Sequence, residues 1–173
     1  NDFLNKAIDQ NNRLNLIIDD LLRLSRIESM HDEESFTLSN QKLLPIIAAS
    51  IEDIRATIKK YNGKILINCS EKIHAEIDSQ LIREALINLL ENAIKYGDNN
   101  SSVKLVVKEK PKSILIDIEN AGSIIPEKEC NKIFNRFYRI DKSRSKKTGG
   151  TGLGLAIVKH ISIVHNGNIE VNK

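Results

Sequence analysis

The stretch NLLENAIKYG, residues 88–97, decides how this chain is read. Asn88 and Asn92 stand four residues apart, so on a helix their amides share one face. Lys95 continues that stripe. Leu81, Ile82, Ala85, Leu86, Leu89, Leu90, Ala93 and Ile94 surround them at a spacing that would bury most of the helix. Two amides on so apolar a helix cost stability unless something satisfies them. A bound ligand or ion is one such partner; backbone or water is another. The helix is expected over Ser79–Tyr96, with Asp78 or Ser79 as N-cap and Gly97 as its stop.

Towards the amino terminus, residues 2–29 read as one long amphipathic helix. Leu4, Ile8, Leu14, Ile17, Ile18, Leu21, Leu24 and Ile27 form its apolar stripe, with Asp2, Lys6, Asp9, Arg13, Asp20 and Arg23 opposite. A solitary helix of this length has nothing to cover its stripe, so a partner helix is implied. Residues 30–34 are polar and read as a linker. The pattern then becomes mixed. A helix is expected over Lys42–Tyr61 and ends at Gly63, and strands over Lys64–Cys69 and Ile73–Ile77 flank a turn. Val103–Glu109 and Ser113–Glu119 read as a hairpin joined near Pro111. Gly152–His165 reads as a further helix, and Asn168–Val171 as the beginning of a strand. Elements on this scale predict an α/β chain of the α+β two-layer kind, a mixed sheet covered by helices on one face.

The 173 residues suit one domain with an appendage, and the 40% apolar content is enough for a core. No run approaches the ~18 apolar residues of a membrane span. No secretory signal opens the chain. Cys69 and Cys130 match no metal-ligand spacing and read as free, mostly buried thiols in a reducing compartment. The formal net charge of +3 is uneven. Residues 137–150 hold Arg139, Lys142, Arg144, Lys146 and Lys147 against Asp141 alone. A basic cluster beside glycines suits a small anion better than a nucleic-acid surface.

Those glycines open TGGTGLGLAIVKHISIVHNG, residues 148–167. Gly149, Gly150, Gly152 and Gly154 permit close backbone approach, and the helix that follows offers unpaired N–H groups and a positive dipole end, a combination that suits phosphate. It is not a P-loop, because no Lys follows the glycines. It is not a Rossmann fingerprint either, because no first strand leads directly into it. Asn92 then has a candidate task, since an amide oxygen can coordinate Mg²⁺ that bridges phosphates. Lys95 can offset phosphate charge and Tyr96 can lie beside a purine. In IENAGSIIP, residues 118–126, Asn120 stands where the chain leaves a strand and Gly122 frees the backbone; an amide oxygen there can accept from an exocyclic amine.

In this order the segments resemble the catalytic half of the sensor histidine kinases of two-component systems, members of the Bergerat ATP-binding superfamily. NLLENAIKYG resembles the asparagine box and IENAGSIIP the first glycine box. IFNRFYRIDKSRS (133–145) resembles the phenylalanine box and GGTGLGL (149–155) the second glycine box. LNLIIDDLLRLSRIES (14–29) resembles the second helix of the dimerisation and phosphoacceptor domain. The resemblance implies a Bergerat fold preceded by one long helix. Residues 1–29 would be that second helix, 30–34 a linker, and 35–173 the ATP-binding domain without its last strand. It implies ATP and Mg²⁺ as cofactors, with Asn92 as metal ligand supported by Asn88. Lys95 and Arg139 would meet phosphates, and Tyr96 and Asn120, with Gly122, would hold adenine. Gly150, Thr151, Gly152, Leu153 and Gly154 would line the phosphates from a lid over 137–150, whose base Phe134 and Phe137 would anchor. The partners implied are ATP, the phosphoacceptor helix, a response regulator and a second copy of the chain, with no nucleic acid. The place implied is the cytoplasmic side of a membrane-anchored sensor.

Departures from the family pattern carry information too. The first glycine box usually reads Asp-x-Gly-x-Gly, and here Asn120, Gly122 and Ile124 stand at those positions. Asn keeps an acceptor oxygen and loses the charge, so a weaker hold on adenine is expected. None of His31, His74, His160 and His165 has the neighbourhood of a phosphoacceptor, so the histidine lies outside these residues. The alternatives are a Bergerat-type ATPase or a non-catalytic nucleotide-binding module. The ATPases activate water with a Glu four residues before the metal-binding Asn; Asn88 stands there, and an amide cannot act as that base. Glu91 is adjacent but points about 100° away around the helix.

Overall fold

The computed structural model describes residues 2–29, 36–98, 100–140 and 150–172. These fall into two compact units: Phe36–Ile124, and the remainder, in which the first helix joins the residues from Ile125 onward. The linker over 30–34, His31, and the lid residues 141–149 with Lys142, Arg144, Lys146, Lys147 and Gly149 lie outside the described residues.

The unit Phe36–Ile124 begins with β1 (Ser39–Lys42), followed by α2 (Leu43–Asp53) and α3 (Arg55–Lys60). β2 (Lys64–Asn68), β3 (His74–Ile77), α4 (Ser79–Tyr96), β4 (Ser102–Lys110) and β5 (Ser113–Glu119) complete it. α4 has the limits expected from its sequence. The Asp78 carboxylate accepts from the backbone N–H of Gln80 and Leu81, at 2.9 and 3.0 Å, which satisfies two of the orphan donors of the first turn. Gly97 follows as its C-cap.

The expected helix over Lys42–Tyr61 is two helices. The backbone leaves helical geometry at Ile54, whose buried side chain takes precedence over an unbroken helix. Tertiary packing overrides local propensity there. β1 was not expected. Its four residues, SNQK, carry no apolar alternation, and they are extended because they pair antiparallel with β3, Ser39 opposite Ile77. Lys64–Cys69 and Ile73–Ile77 are therefore not partners around a turn. β2 instead runs parallel to β4, Lys64 opposite Ser102, which requires the crossover that α4 supplies. The β4–β5 hairpin is as expected, with Lys110 opposite Ser113. The α+β class is borne out, with the strands distributed over a two-stranded β1–β3 sheet and a mixed β2–β4–β5 sheet.

Val103, Leu105 and Val107 of β4 turn inward while Lys104 and Lys108 are exposed, the alternation of a half-buried strand. They join Leu43, Ile46, Ile47 and Ile54 and α4's Leu86, Leu90, Ala93 and Ile94 in one core. At its margin the Arg83 guanidinium of α4 grips both oxygens of Asp53, at 2.6 and 2.7 Å. This hydrogen bonding holds the Asp53 carboxyl below its ordinary value of 3.8. A lowered carboxyl contributes stability above its unfolded value and loses it as pH falls through its folded value. The pair should therefore support α2 against α4 at neutral pH and cease to do so as pH falls below about 3.8. Urea midpoints for the chain and for Asp53→Asn should converge as pH falls below that value.

In the other unit, α1 spans Asp2–Ser29, as its periodicity predicts. α5 (Glu127–Cys130) and α6 (Gly154–Val164) follow, α6 being shorter at both ends than expected. α1 packs against α6, and buries Leu24 and Ile27. Phe3, Leu4, Ile8, Leu14 and Ile18 are each more than half exposed. The partner helix implied by the stripe thus covers only its carboxyl end. No strand forms over 168–172, contrary to expectation, although Ile169 and Val171 alternate. Cys69 and Cys130 are free and half-buried, less sheltered than expected, and burial pushes the Cys69 thiol up.

Candidate functional site

Within the unit Phe36–Ile124 the sequence candidates Asn88, Asn92, Lys95 and Tyr96 all lie on α4, and Asn120 and Gly122 lie just beyond β5. The two groups meet because of two glycines. Gly97 pairs antiparallel with Gly122, and the Asp98 N–H donates to the Ala121 carbonyl at 2.7 Å. A Cβ on Gly122 would sit 2.7 Å from the Tyr96 carbonyl oxygen, and one on Gly97 would sit 2.7 Å from that of Ala93. Only hydrogen fits at either position. Gly122 therefore lets the β5 exit close against the end of the asparagine helix, and the Asn120 side chain stands in the open there.

The asparagines are half-buried and differ in occupation. Asn88 donates its amide to the Glu84 carbonyl at 3.1 Å, which leaves its side-chain oxygen available. The Asn92 amide has no hydrogen bond among the described residues. A half-buried amide without a partner suits an external ligand. Lys95 donates to Glu91 at 2.6 Å, and the other oxygen of Glu91 accepts from the Thr57 hydroxyl at 2.8 Å. Glu91 has both oxygens engaged. Tyr96 is half exposed, and the exposed Asn120 donates its amide to the Ala121 carbonyl at 3.3 Å.

Arg139, Gly150, Thr151, Gly152, Leu153 and Gly154 belong to the other unit. The Arg139 guanidinium donates to the Gly150 carbonyl. Thr151 donates its hydroxyl to Asp20 of α1 at 2.6 Å and accepts from the Leu153 N–H at 3.2 Å. Gly152 has φ +78, and a Cβ there would lie 3.0 Å from the backbone of Phe137. Phe137 itself has φ 62, a strained value for an aromatic residue, held by its N–H on the Gly152 carbonyl at 2.9 Å. Phe134 is buried, whereas Phe137 is more than half exposed, so only the first packs as an anchor. The Leu153 side chain is fully buried and can offer a ligand only its backbone. Gly154 begins α6, at the end where N–H groups are unpaired.

Sequence reasoning missed Thr57, Asp20 and the use of Glu91. The Glu91–Lys95 spacing was a visible signal. Nothing local marked Thr57, which arrives from 34 residues away.

Residues 77–173 match the model of the family described as histidine kinase-, DNA gyrase B-, and HSP90-like ATPase. That span holds α4, the β5 exit and the glycine-rich turn in the order just described. The chain belongs to this family. Among its relatives are the probable sensor kinase SilS of Salmonella typhimurium, 32% identical over 98% of this chain and 34% of that protein. The sensor histidine kinase WalK of Bacillus subtilis is 32% identical over 96% of the chain and 27% of its own length. The chain thus spans about a third of the length of these relatives. A nucleotide-free catalytic domain of histidine kinase ThkA superposes with a TM-score of 0.64 at 27% identity, covering 74% of this chain and 81% of that one. Membership of an ATPase family makes an adenine nucleotide the ligand to fit to the site.

Proposed function

We propose that the chain is the ATP-binding catalytic part of a sensor histidine kinase and transfers the γ-phosphoryl group of MgATP to a histidine outside these residues. The observation that carries this reading is the composition of the α4 face. Asn92 offers an amide with no hydrogen bond among the described residues, Asn88 stands where a water-activating acid would be needed, and Glu91 has both oxygens occupied. The described residues contain no cluster of three His, Cys, Asp or Glu side chains able to hold a metal alone. Mg²⁺ does not need one, because it keeps several waters and takes its remaining oxygens from phosphates.

Asn92 would ligate Mg²⁺ through its side-chain oxygen, with Asn88 beside it. The ion, when bound, would supply neutralisation of phosphate charge. Lys95 and Arg139 would hold phosphate oxygens, Tyr96 and Asn120 the adenine, and the Gly150–Gly154 backbone would line the phosphates. Phosphoryl transfer needs little covalent help from protein, so positioning and charge neutralisation account for catalysis. Residues 1–29 would be the second helix of the dimerisation domain, joined by 30–34 to an ATP-binding domain over 35–173. The exposed Phe3, Leu4, Ile8, Leu14 and Ile18 of α1 favour a helix bundle with a second copy. A response regulator would accept the phosphoryl group. No helix among the described residues is long and apolar enough to cross a membrane, and the chain would act on the cytoplasmic side of an anchored sensor.

The test is phosphorylation of a longer chain that carries the histidine-bearing helix. Incubation with labelled MgATP should give an acid-labile, base-stable phosphoprotein. Steady phosphate release without that label would overturn the reading in favour of an ATPase. A second outcome concerns adenine. Asn120→Asp restores a charged acceptor and should tighten ATP binding about fivefold, since charge-assisted hydrogen bonds exceed neutral ones by roughly 1 kcal/mol. Calorimetric titration of the two chains checks it.

A further inference from the structure

We propose that Glu91, tethered from α3 by Thr57, is a positioning residue that holds the Lys95 ammonium ready for the nucleotide phosphates. The inference rests on the reading of Lys95 as a phosphate-binding cation and adds two residues to that machinery.

The geometry is a three-group chain. The Thr57 hydroxyl donates to one Glu91 oxygen at 2.8 Å, and the other oxygen accepts from Lys95 Nζ at 2.6 Å. A helical threonine commonly turns its hydroxyl back to the carbonyl four residues earlier. Thr57 instead crosses to a residue 34 positions away. That bond fixes one carboxylate oxygen, so the other faces Lys95. The Lys95 and Glu91 side chains are only 24% and 31% exposed, which shelters the pair from full screening.

Lys95 stands at the junction of two rows on α4. It is four residues from Glu91 and three from Asn92, so it borders both side chains. A lysine left free would sample many rotamers and lose that freedom on meeting a phosphate. Held by a tethered Glu91, its ammonium is fixed at the residue next to Asn92 in the chain before nucleotide arrives. The same placement explains why Glu91 is not a base: its oxygens already serve the threonine and the lysine.

The test compares Thr57→Val, Thr57→Ala and Thr57→Ser, alone and combined with Lys95→Ala, by titration with MgATP and with adenosine. Thr57→Val and Thr57→Ala should each weaken MgATP binding about threefold, the scale of a partly screened charge contact. Adenosine carries no phosphate, so its affinity should be unchanged. Thr57→Ser keeps the hydroxyl and should bind MgATP as the parent chain does. In the Lys95→Ala background, loss of the hydroxyl should add nothing. Equal weakening towards adenosine and MgATP would mean a general packing role and would overturn the inference. Parental MgATP affinity in Thr57→Val and Thr57→Ala, with a loss in Lys95→Ala, would overturn the positioning role and leave the phosphate role of Lys95 standing. Parental affinity in Lys95→Ala would overturn both.

Discussion

Asn92→Ala is expected to remove the Mg²⁺-dependent part of ATP binding. In the parent chain, ATP should bind more tightly with Mg²⁺ than in the presence of a chelator, because in the proposed site the Asn92 amide oxygen would complete the ion's shell. Hydrogen bonds and contacts to charged groups contribute about 1.5–3 kcal/mol, or roughly tenfold to hundredfold in affinity. With alanine the two titrations should coincide. The fold should be unaffected, since Asn92 makes no hydrogen bond among the described residues and its neighbours Ala93 and Leu90 carry the packing. The result is thus separable from unfolding. A retained gap between the Mg²⁺ and chelator titrations would refute the assignment.

Gly122→Ala should act through structure. Its Cβ would fall 2.7 Å from the Tyr96 carbonyl oxygen and 3.4 Å from the Gly97 Cα, both parts of the backbone that cannot rotate aside. The β5 exit must then move off the end of α4, breaking the Gly97–Gly122 pairing and the Asp98 bond to Ala121. Overpacking of this kind costs about 1–3 kcal/mol, and displacement of Asn120 and Tyr96 should weaken ATP at least about tenfold. Denaturant unfolding and ATP titration, run in parallel, check both. Adenosine should lose as much affinity as ATP, because the disturbed end is the one assigned to adenine. This contrasts with Thr57→Val, where the phosphates alone should respond.

Much of the fold was legible because it is written over short stretches. α1 and α4 follow from 3.6-residue periodicity, the α4 start from Asp78, and the β4–β5 hairpin from alternation around Pro111. The elements misread are those whose form depends on distant partners. β1 has no apolar alternation, and becomes a strand because β3 lies beside it. Ile54 breaks a continuous helical pattern in order to enter the core. Residues 168–172 alternate like a strand and pair with nothing among the described residues. The same division runs through the candidate site. Asn88, Asn92 and Lys95 announce themselves by spacing on one helix, whereas Thr57 does not, because its role exists only where α3 meets α4.

The sequence by itself determined the asparagine helix, the order of its motifs and the absence of a carboxylate four residues before Asn92. Helical spacing, capping and residue chemistry are properties of a few adjacent residues, so they survive without coordinates. Only the tertiary structure decided that Gly97 and Gly122 join the β5 exit to that helix, that β2 pairs with β4, and that Thr57 and Lys95 share Glu91. Each of those is a close approach between segments far apart in the chain. Such an approach depends on how the whole core packs, which no local pattern encodes.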